Sequence, residues 1–231
     1  MIKYVLFDLD NTLLDFTKAE AVAIKKAFER FSVPATEANI RRYSEINDEQ
    51  WKKLEKGLMT KDEVLARRFE LLFAELGVKN VSAEEAQEVY EYHLGTGHIF
   101  VDGALETLEA LKGKYELYIV SNGTATVQDR RLESSGIAPY FKDIFISERV
   151  GANKPSREFF DLAFARIPDF DRSKAIIVGD RLSSDILGGI NAGIMTCWFD
   201  PMRLPPSGGI VPDITIYKLS ELPEALADAN G

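Results

Sequence analysis

The chain has one cysteine, two histidines, no long apolar run and no surplus of basic residues. A lone cysteine, Cys197, excludes a disulfide within the chain, and its place in an apolar run makes it a packing residue. No apolar stretch approaches the roughly 20 residues a membrane helix requires. The first residues read as a strand carrying acids rather than a signal peptide, so a soluble, cytoplasmic protein is expected. With 37 acidic against 28 basic residues the net charge is -9, which argues against a nucleic-acid polymer held on a basic surface. A small anion held by a local cation remains open. His93 and His98 match no ligand spacing and receive no role. What is present, 231 residues with 45% apolar content, suffices for a core in one large or two small domains.

The organising stretch is Tyr4-Val5-Leu6-Phe7-Asp8-Leu9-Asp10-Asn11-Thr12-Leu13. Four apolar or aromatic residues without polar alternation read as a strand buried on both faces. The run ends in two aspartates one residue apart. An unpaired buried carboxylate costs several kcal/mol, so both are placed where the strand leaves the core, facing water, a metal or a substrate. In an open parallel sheet that is the ligand-binding end.

After Asp15 the period changes to that of helices. Thr17 with Glu20 reads as a capping box ahead of Ile24, Ala27, Phe28 and Phe31. A second helix starts near Thr36, with Ile40, Tyr43, Ile46, Asn47, Trp51 and Leu54 on its stripe. Thr60 with Glu63 and Ser82 with Glu85 open two more, the third stopped by Gly77. Four amphipathic helices with short links form a small bundle, inserted into an α/β pattern that resumes later. Its connections lie near Asp15-Phe16 and from Gly95 to Val101, with Gly95 and Gly97 a candidate hinge.

From Asp102, read as the cap of a helix carrying Leu105, Leu108 and Leu111, strands and helices alternate. Leu117 to Val120 stops at Ser121-Asn122-Gly123-Thr124. Ile144 to Ile146 leads to Gly151-Ala152-Asn153-Lys154-Pro155. Ala175 to Val178 ends in Gly179-Asp180, ahead of a helix with Ile186, Leu187 and Ile190. Thr196 to Phe199 and Ile214 to Tyr217 are further strands, and a last helix runs from Leu219 to about Ala229. This alternation implies a doubly wound, Rossmann-like parallel sheet of the α/β class.

The strand ends carry complementary chemistry. Asp8 is a candidate nucleophile, since a carboxylate can form an acyl phosphate. Asp10 is placed to protonate a leaving oxygen and later to deprotonate water. Ser121, Asn122 and the amides that follow them suit an anion. Lys154, extended by the proline after it, supplies an ammonium beside the sheet edge, and Pro155 suits the first position of the next helix. Asp180 ends another strand, with Asp185 one helical turn on. At about 4 Å and an effective dielectric near 20, two like charges repel by roughly 4 kcal/mol. One lysine does not offset three carboxylates and a phosphate; magnesium, a hard divalent cation, would.

Taken in order, these motifs resemble the haloacid dehalogenase-like hydrolase superfamily. Asp8-Leu9-Asp10-Asn11-Thr12 matches its first motif, Ser121 its second, Lys154-Pro155 its third, and Gly179-Asp180 with Asp185 its fourth. The resemblance covers the whole chain. It implies a catalytic core from residues 1-15 and 98-231 and a helical C1 cap from 16-97. It further implies Asp8 as nucleophile and Asp10 as general acid/base. Mg2+ would be held by the Asp8 carboxylate, the Asp10 carbonyl and Asp180. Ser121, Asn122 and Lys154 would bind phosphate, and Asp185 would either bind the metal through water or orient Lys154. Family members that dehalogenate carry no carboxylate at the position of Asp10, so Asp10 implies phosphate chemistry. The run Thr12 to Phe16, the segment from Trp51 to Asp62 and Thr196-Cys197-Trp198 look most like the bacterial pyrimidine 5'-nucleotidases, including those acting on noncanonical nucleotides.

The expected activity is therefore magnesium-dependent hydrolysis of nucleoside 5'-monophosphates, pyrimidine ones foremost, by a monomer or homodimer. A phosphatase of small sugar or acid phosphates such as phosphoglycolate is the alternative; a mutase is less favoured. A phospho-accepting regulatory domain would use the same aspartate, but the large cap would obstruct its partner. Phe16, Tyr43, Asn47 and Trp51 are candidates to meet a base, although packing between helices explains Tyr43 and Trp51 better.

Overall fold

The computed structural model describes residues 1–231. Six strands follow along the chain: β1 (Tyr4–Phe7), β2 (Glu116–Ser121), β3 (Asp143–Ile146), β4 (Ala175–Gly179), β5 (Met195–Phe199) and β6 (Ile214–Ile216). They form one sheet in the order β3-β2-β1-β4-β5-β6, parallel throughout. The α/β, Rossmann-like reading of the sequence holds. Side chains alternate across a strand, and β1 shows it plainly. Val5 and Phe7 join a cluster with Leu108, Leu111, Leu222 and Leu226 on one face. Tyr4 and Leu6 face Phe159, Phe160 and Phe164 on the other.

Because chain connectivity reverses at β1, the ends of β1, β2 and β4 lie side by side over a crevice. The candidate residues Asp8, Ser121 and Asp180 lie at those ends.

Four helices sit between β1 and the rest of the core: α1 (Phe16–Arg30), α2 (Glu37–Glu55), α3 (Lys61–Leu76) and α4 (Ala83–Gly95). They bury their own cluster, centred on Phe28, Tyr43, Phe69 and Tyr90. The two connecting strips run side by side: the Asp15 amide donates to the Ile99 carbonyl at 2.7 Å and the Val101 amide to the Leu13 carbonyl at 3.0 Å.

The capping boxes at Thr60–Glu63 and Ser82–Glu85 form as the spacing predicts. The one at Thr17–Glu20 does not. Asp15 caps α1 instead, accepting from the Lys18 amide at 2.9 Å, and Glu20 turns inward to hold Ser44 and, at 2.6 Å, Asn47. A carboxylate two residues before Thr17 took the cap and freed Glu20 for the bundle.

Beyond the insertion lie α5 (Ala104–Leu111), α6 (Ala125–Ser135), α7 (Ser147–Val150), α8 (Arg157–Phe164), α9 (Leu187–Ala192) and α10 (Leu222–Asp228). Asp102 does not cap α5; the helix begins after Gly103 at φ 82°, and its buried stripe is Ala104, Thr107, Leu108 and Leu111, leaving Leu105 outside. Pro155 is not the first residue of α8 either. Ser156 takes the N-cap, its hydroxyl accepting from the Phe159 amide at 3.2 Å. Ahead of α9 the chain makes a wide π-type turn over Leu182–Ile186. The turn rotates the helix so that Ile186, Gly188 and Gly189 face inward while Ile190 is exposed.

No helix is long and apolar enough to cross a membrane.

Candidate active site

Asp8 is the first residue beyond β1, and its amide still donates to the Val178 carbonyl at 2.9 Å. Its side chain is buried rather than facing water. Burial is tolerable because Lys154, itself 1% exposed, places its ammonium 2.7 Å from Asp8 Oδ1, 2.7 Å from Asp185 Oδ1 and 2.8 Å from the Val120 carbonyl. Three donors meet three acceptors, so the ammonium cannot turn. Burial works against this charge, yet Asp185 and Asp8 outweigh it and hold the Lys154 pKa above its usual range. Lys154 thus lies between the ends of β1, β2 and β4, not beside the sheet edge as its sequence position implied.

Two residues hold Lys154 in place. The Asn122 carboxamide accepts from the Lys154 amide and donates to the Lys154 carbonyl, both at 2.9 Å. Asp185 is anchored through its second oxygen by the Arg181 amide at 3.0 Å. Asn122 therefore grips the lysine's backbone with its side chain, and Asp185 orients the lysine's head.

The carboxylate oxygens of Asp8, Asp180 and Asp185 lie within 4.8 Å of one another. Burial is the main reason that Asp8 is pushed up to about 7, with Lys154 opposing and Asp185 and Asp10 adding to the rise. Asp180 is raised well above the carboxylate range by burial and then by Asp8 and Asp185. Thr12 ties two strand ends together: its hydroxyl reaches Asp8 Oδ2 at 3.4 Å and accepts from the Asp180 amide at 3.1 Å. With Asp185 committed to Lys154, Asp8 and Asp180 are left facing each other as hard oxygen donors short of positive charge.

Gly179 makes the Asp185 position possible. A Cβ there would lie 2.5 Å from Asp185 Cβ and Cγ. We expect Gly179→Ala to displace Asp185 and loosen Lys154, costing about 1–3 kcal/mol as overpacking does, and lowering activity more than stability. A thermal melt alongside turnover checks it; an unchanged turnover with wild-type melting would show that Asp185 needs no such approach.

Asp10 faces elsewhere. Its carboxylate receives Gln128 Nε2 at 2.6 Å and the Arg131 guanidinium, both from α6. Gln128 Nε2 also donates to Ser121 Oγ at 2.9 Å, and Ser121 Oγ accepts from the Gly123 amide at 3.1 Å. Gln128 and Arg131 were missed in the sequence. The available signal was a buried stripe on α6, Val127, Gln128, Arg131 and Leu132, in which two polar residues occupy core positions.

Phe16 and Trp51 line the cleft above these groups, together with Arg68 of α3, and the cleft is partly open to solvent. Tyr43 and Asn47 do not. Tyr43 is enclosed by Phe69 and Tyr90 at 5.1 and 5.2 Å between centroids. Asn47 is buried between Glu20, Trp51 Nε1 at 3.0 Å and Arg68 Nη1 at 2.8 Å. The packing explanation thus holds for Tyr43 but not for Trp51, whose ring edge is tied to Asn47 while the residue borders the cleft.

The inserted helices are fastened to the core around this opening. Arg181 pairs with Asp48 and, at 3.0 Å, with Glu55, which also accepts from Ser183 at 2.6 Å. Lys61 Nζ reaches the Gly123 carbonyl at 3.1 Å and Ser147 Oγ at 2.8 Å.

The family described as haloacid dehalogenase-like hydrolase matches residues 2–193. The HAD-hydrolase YfnB of Bacillus subtilis is 43% identical over 218 residues, 94% of this chain and 92% of its own. The pyrimidine 5'-nucleotidases PynA of Streptococcus pneumoniae and YjjG of Escherichia coli are 36% and 34% identical, covering 97% and 96% of this chain and 94% and 97% of theirs. A crystal structure of YfnB bound to magnesium superposes with a TM-score of 0.92 at 40% identity, over 97% of this chain and 98% of that one.

Proposed function

Because the chain belongs to the haloacid dehalogenase-like hydrolases, we propose that it hydrolyses nucleoside 5'-monophosphates through an aspartyl phosphate on Asp8. The observation that carries this reading is the buried Asp8 carboxylate at the end of the central strand, fixed by Lys154 and facing Asp180. An oxygen nucleophile, a locked cation and an acid-lined pocket converge on one point below a cleft.

In the first half-reaction an Asp8 oxygen attacks phosphorus, the bond to the leaving oxygen breaks, and Asp10 gives that oxygen its proton. In the second, Asp10 takes a proton from water as the water attacks phosphorus, and the Asp8–phosphorus linkage breaks. Ser121, Asn122 and Lys154 hold the phosphoryl oxygens, Lys154 by its charge and Asn122 chiefly by fixing Lys154. The donor set suits Mg2+: all its atoms are hard oxygens, and the raised proton affinities of Asp8 and Asp180 mark a deficit of positive charge between them. Asp8, Asp180 and the Asp10 carbonyl would hold the ion. When bound it neutralises charge on the phosphoryl oxygens.

Residues 16–97 serve as a cap that supplies selectivity, since the core offers only phosphate chemistry. An aromatic-bordered cleft suits a nucleotide base, and likeness to two pyrimidine 5'-nucleotidases alone favours pyrimidine before purine. A glyceraldehyde 3-phosphate phosphatase of Pyrococcus abyssi is also 34% identical, over 86% of this chain and 82% of its own. The test is kcat/KM for dUMP, AMP, ADP and a sugar phosphate, with and without magnesium. We expect dUMP to lead and EDTA to abolish turnover, with calcium a poor substitute because its bonds are longer and its shell larger. A sugar phosphate leading by about tenfold, a gap of roughly 1.4 kcal/mol, would replace the nucleotide reading.

A further inference from the structure

The acid/base residue is not held by its own loop. Asp10 is gripped from α6 by two side chains one turn apart, Gln128 and Arg131, which are 1% and 0% exposed. Gln128 presents its amide nitrogen to Asp10 at 2.6 Å and to Ser121 at 2.9 Å, while its amide oxygen accepts from Arg131 Nη1 at 3.1 Å. That pattern settles the orientation of the carboxamide, because a carboxylate accepts only from its nitrogen. Gly123 leaves room for it: a Cβ at that position would meet Gln128 Cδ at 2.7 Å and Cγ at 2.9 Å.

Arg131 is the costlier member. Its Nε and Nη2 are buried without a partner, so only one edge of a fully buried guanidinium is used, and that edge serves Asp10. Buried donors left unpaired are rare in proteins and call for a reason. The core gains nothing from them that an apolar side chain would not supply. Besides Asp10 and Gln128, this guanidinium lies over the ring of Phe16, 5.9 Å away, the first residue of the cap.

We infer that Gln128 and Arg131 are positioning residues for the proton-transfer step: they aim the Asp10 carboxylate at the leaving-group side of the cleft and couple its position to Ser121 and Phe16. The inference rests on the phosphomonoesterase reading, with Asp10 as the acid, but not on the identity of the nucleoside. Any alkyl phosphate that the protein hydrolyses will serve.

The experiment compares dUMP, or the best alkyl phosphate found, with p-nitrophenyl phosphate, whose leaving group departs with little protonation. Gln128→Leu, Arg131→Met, Arg131→Lys and Asp10→Asn are assayed with magnesium, with vanadate affinity measured in parallel. Proton transfer by a positioned group is worth about 10²–10⁴-fold. We expect Gln128→Leu and Arg131→Met to lose at least ~10²-fold in kcat on the alkyl ester but less than ~10-fold on the aryl ester, following Asp10→Asn in pattern. Vanadate affinity should hold, and Arg131→Lys, which keeps a cation near Asp10, should recover part of the loss. Gln128→Leu nearly preserves volume and carries the test if Arg131→Met does not fold. Equal losses on both esters in these variants, with Asp10→Asn still selective, would overturn the positioning role alone. Equal losses in Asp10→Asn as well would remove Asp10 as the acid, and this inference with it.

Discussion

Asp8→Asn is expected to give a folded protein without measurable turnover. An amide of the same volume cannot attack phosphorus, and removing a nucleophile that acts with its partners as a unit costs on the order of 10⁶-fold in a well-studied hydrolase. The fold should survive, because Lys154 keeps Asp185 at 2.7 Å and the Val120 carbonyl at 2.8 Å. Wild-type protein acid-quenched after a pulse of substrate should carry phosphate on the chain, and the variant none. Activity within tenfold of wild type would remove Asp8 as nucleophile.

The same variant should alter the pH dependence of stability. Without metal, Asp8 is pushed from an ordinary 3.8 to about 7, mainly by burial. A carboxyl whose pKa is raised by folding binds more protons folded than unfolded between those values, so its contribution is full below about 4 and lost as pH rises through about 7. In EDTA, the melting temperature of Asp8→Asn should therefore fall less steeply than that of wild type from pH 4 to 7. A steeper fall would mean that Asp8 is not the group being protonated.

Lys154→Met should cost both stability and catalysis. The substitution strands Asp8 and Asp185 in the interior with no internal cation between them. Breaking a buried ion pair from one side typically costs about 3–5 kcal/mol. In a chain of this size each kcal/mol moves the melting point by about 2–4 °C, so a fall of roughly 6–20 °C is expected in the absence of metal. Because folding raises the Lys154 pKa, its stabilisation is complete below the ordinary lysine value of 10.5 and is lost only above it. The wild-type advantage should therefore persist through mildly alkaline pH. It should shrink as pH falls through about 7 and below, because Asp8, already pushed up to about 7 with the lysine present, takes up a proton more readily once that cation is gone. Losing a fixed positive charge beside developing negative charge costs about 10²–10³-fold in kcat, and vanadate should bind correspondingly less tightly. Unchanged vanadate affinity would place Lys154 outside the phosphate site.

The sequence alone determined the parts of this protein whose cause is local. Val5 and Phe7 must point opposite to Tyr4 and Leu6 in a strand, and four such apolar runs ending in acid, hydroxyl or glycine could only be buried strands opening on one crevice. The boxes at Thr60 and Ser82 were likewise written in side chains three residues apart. Long-range geometry decided the rest. Whether Asp15 or the Thr17–Glu20 box capped α1 depended on Ser44 and Asn47 arriving from another helix to claim Glu20. Asp185 could be read either as a metal ligand or as the partner of Lys154 until the fold put its oxygen 2.7 Å from that ammonium. Nothing near Asp10 in the chain announces Gln128 and Arg131, which lie 118 and 121 residues away. A polar residue in a helix's buried stripe says only that it has a partner; which partner is settled by the packing of α6 against the end of β1, where an unpaired carboxylate and an unpaired guanidinium would each cost more than the pair.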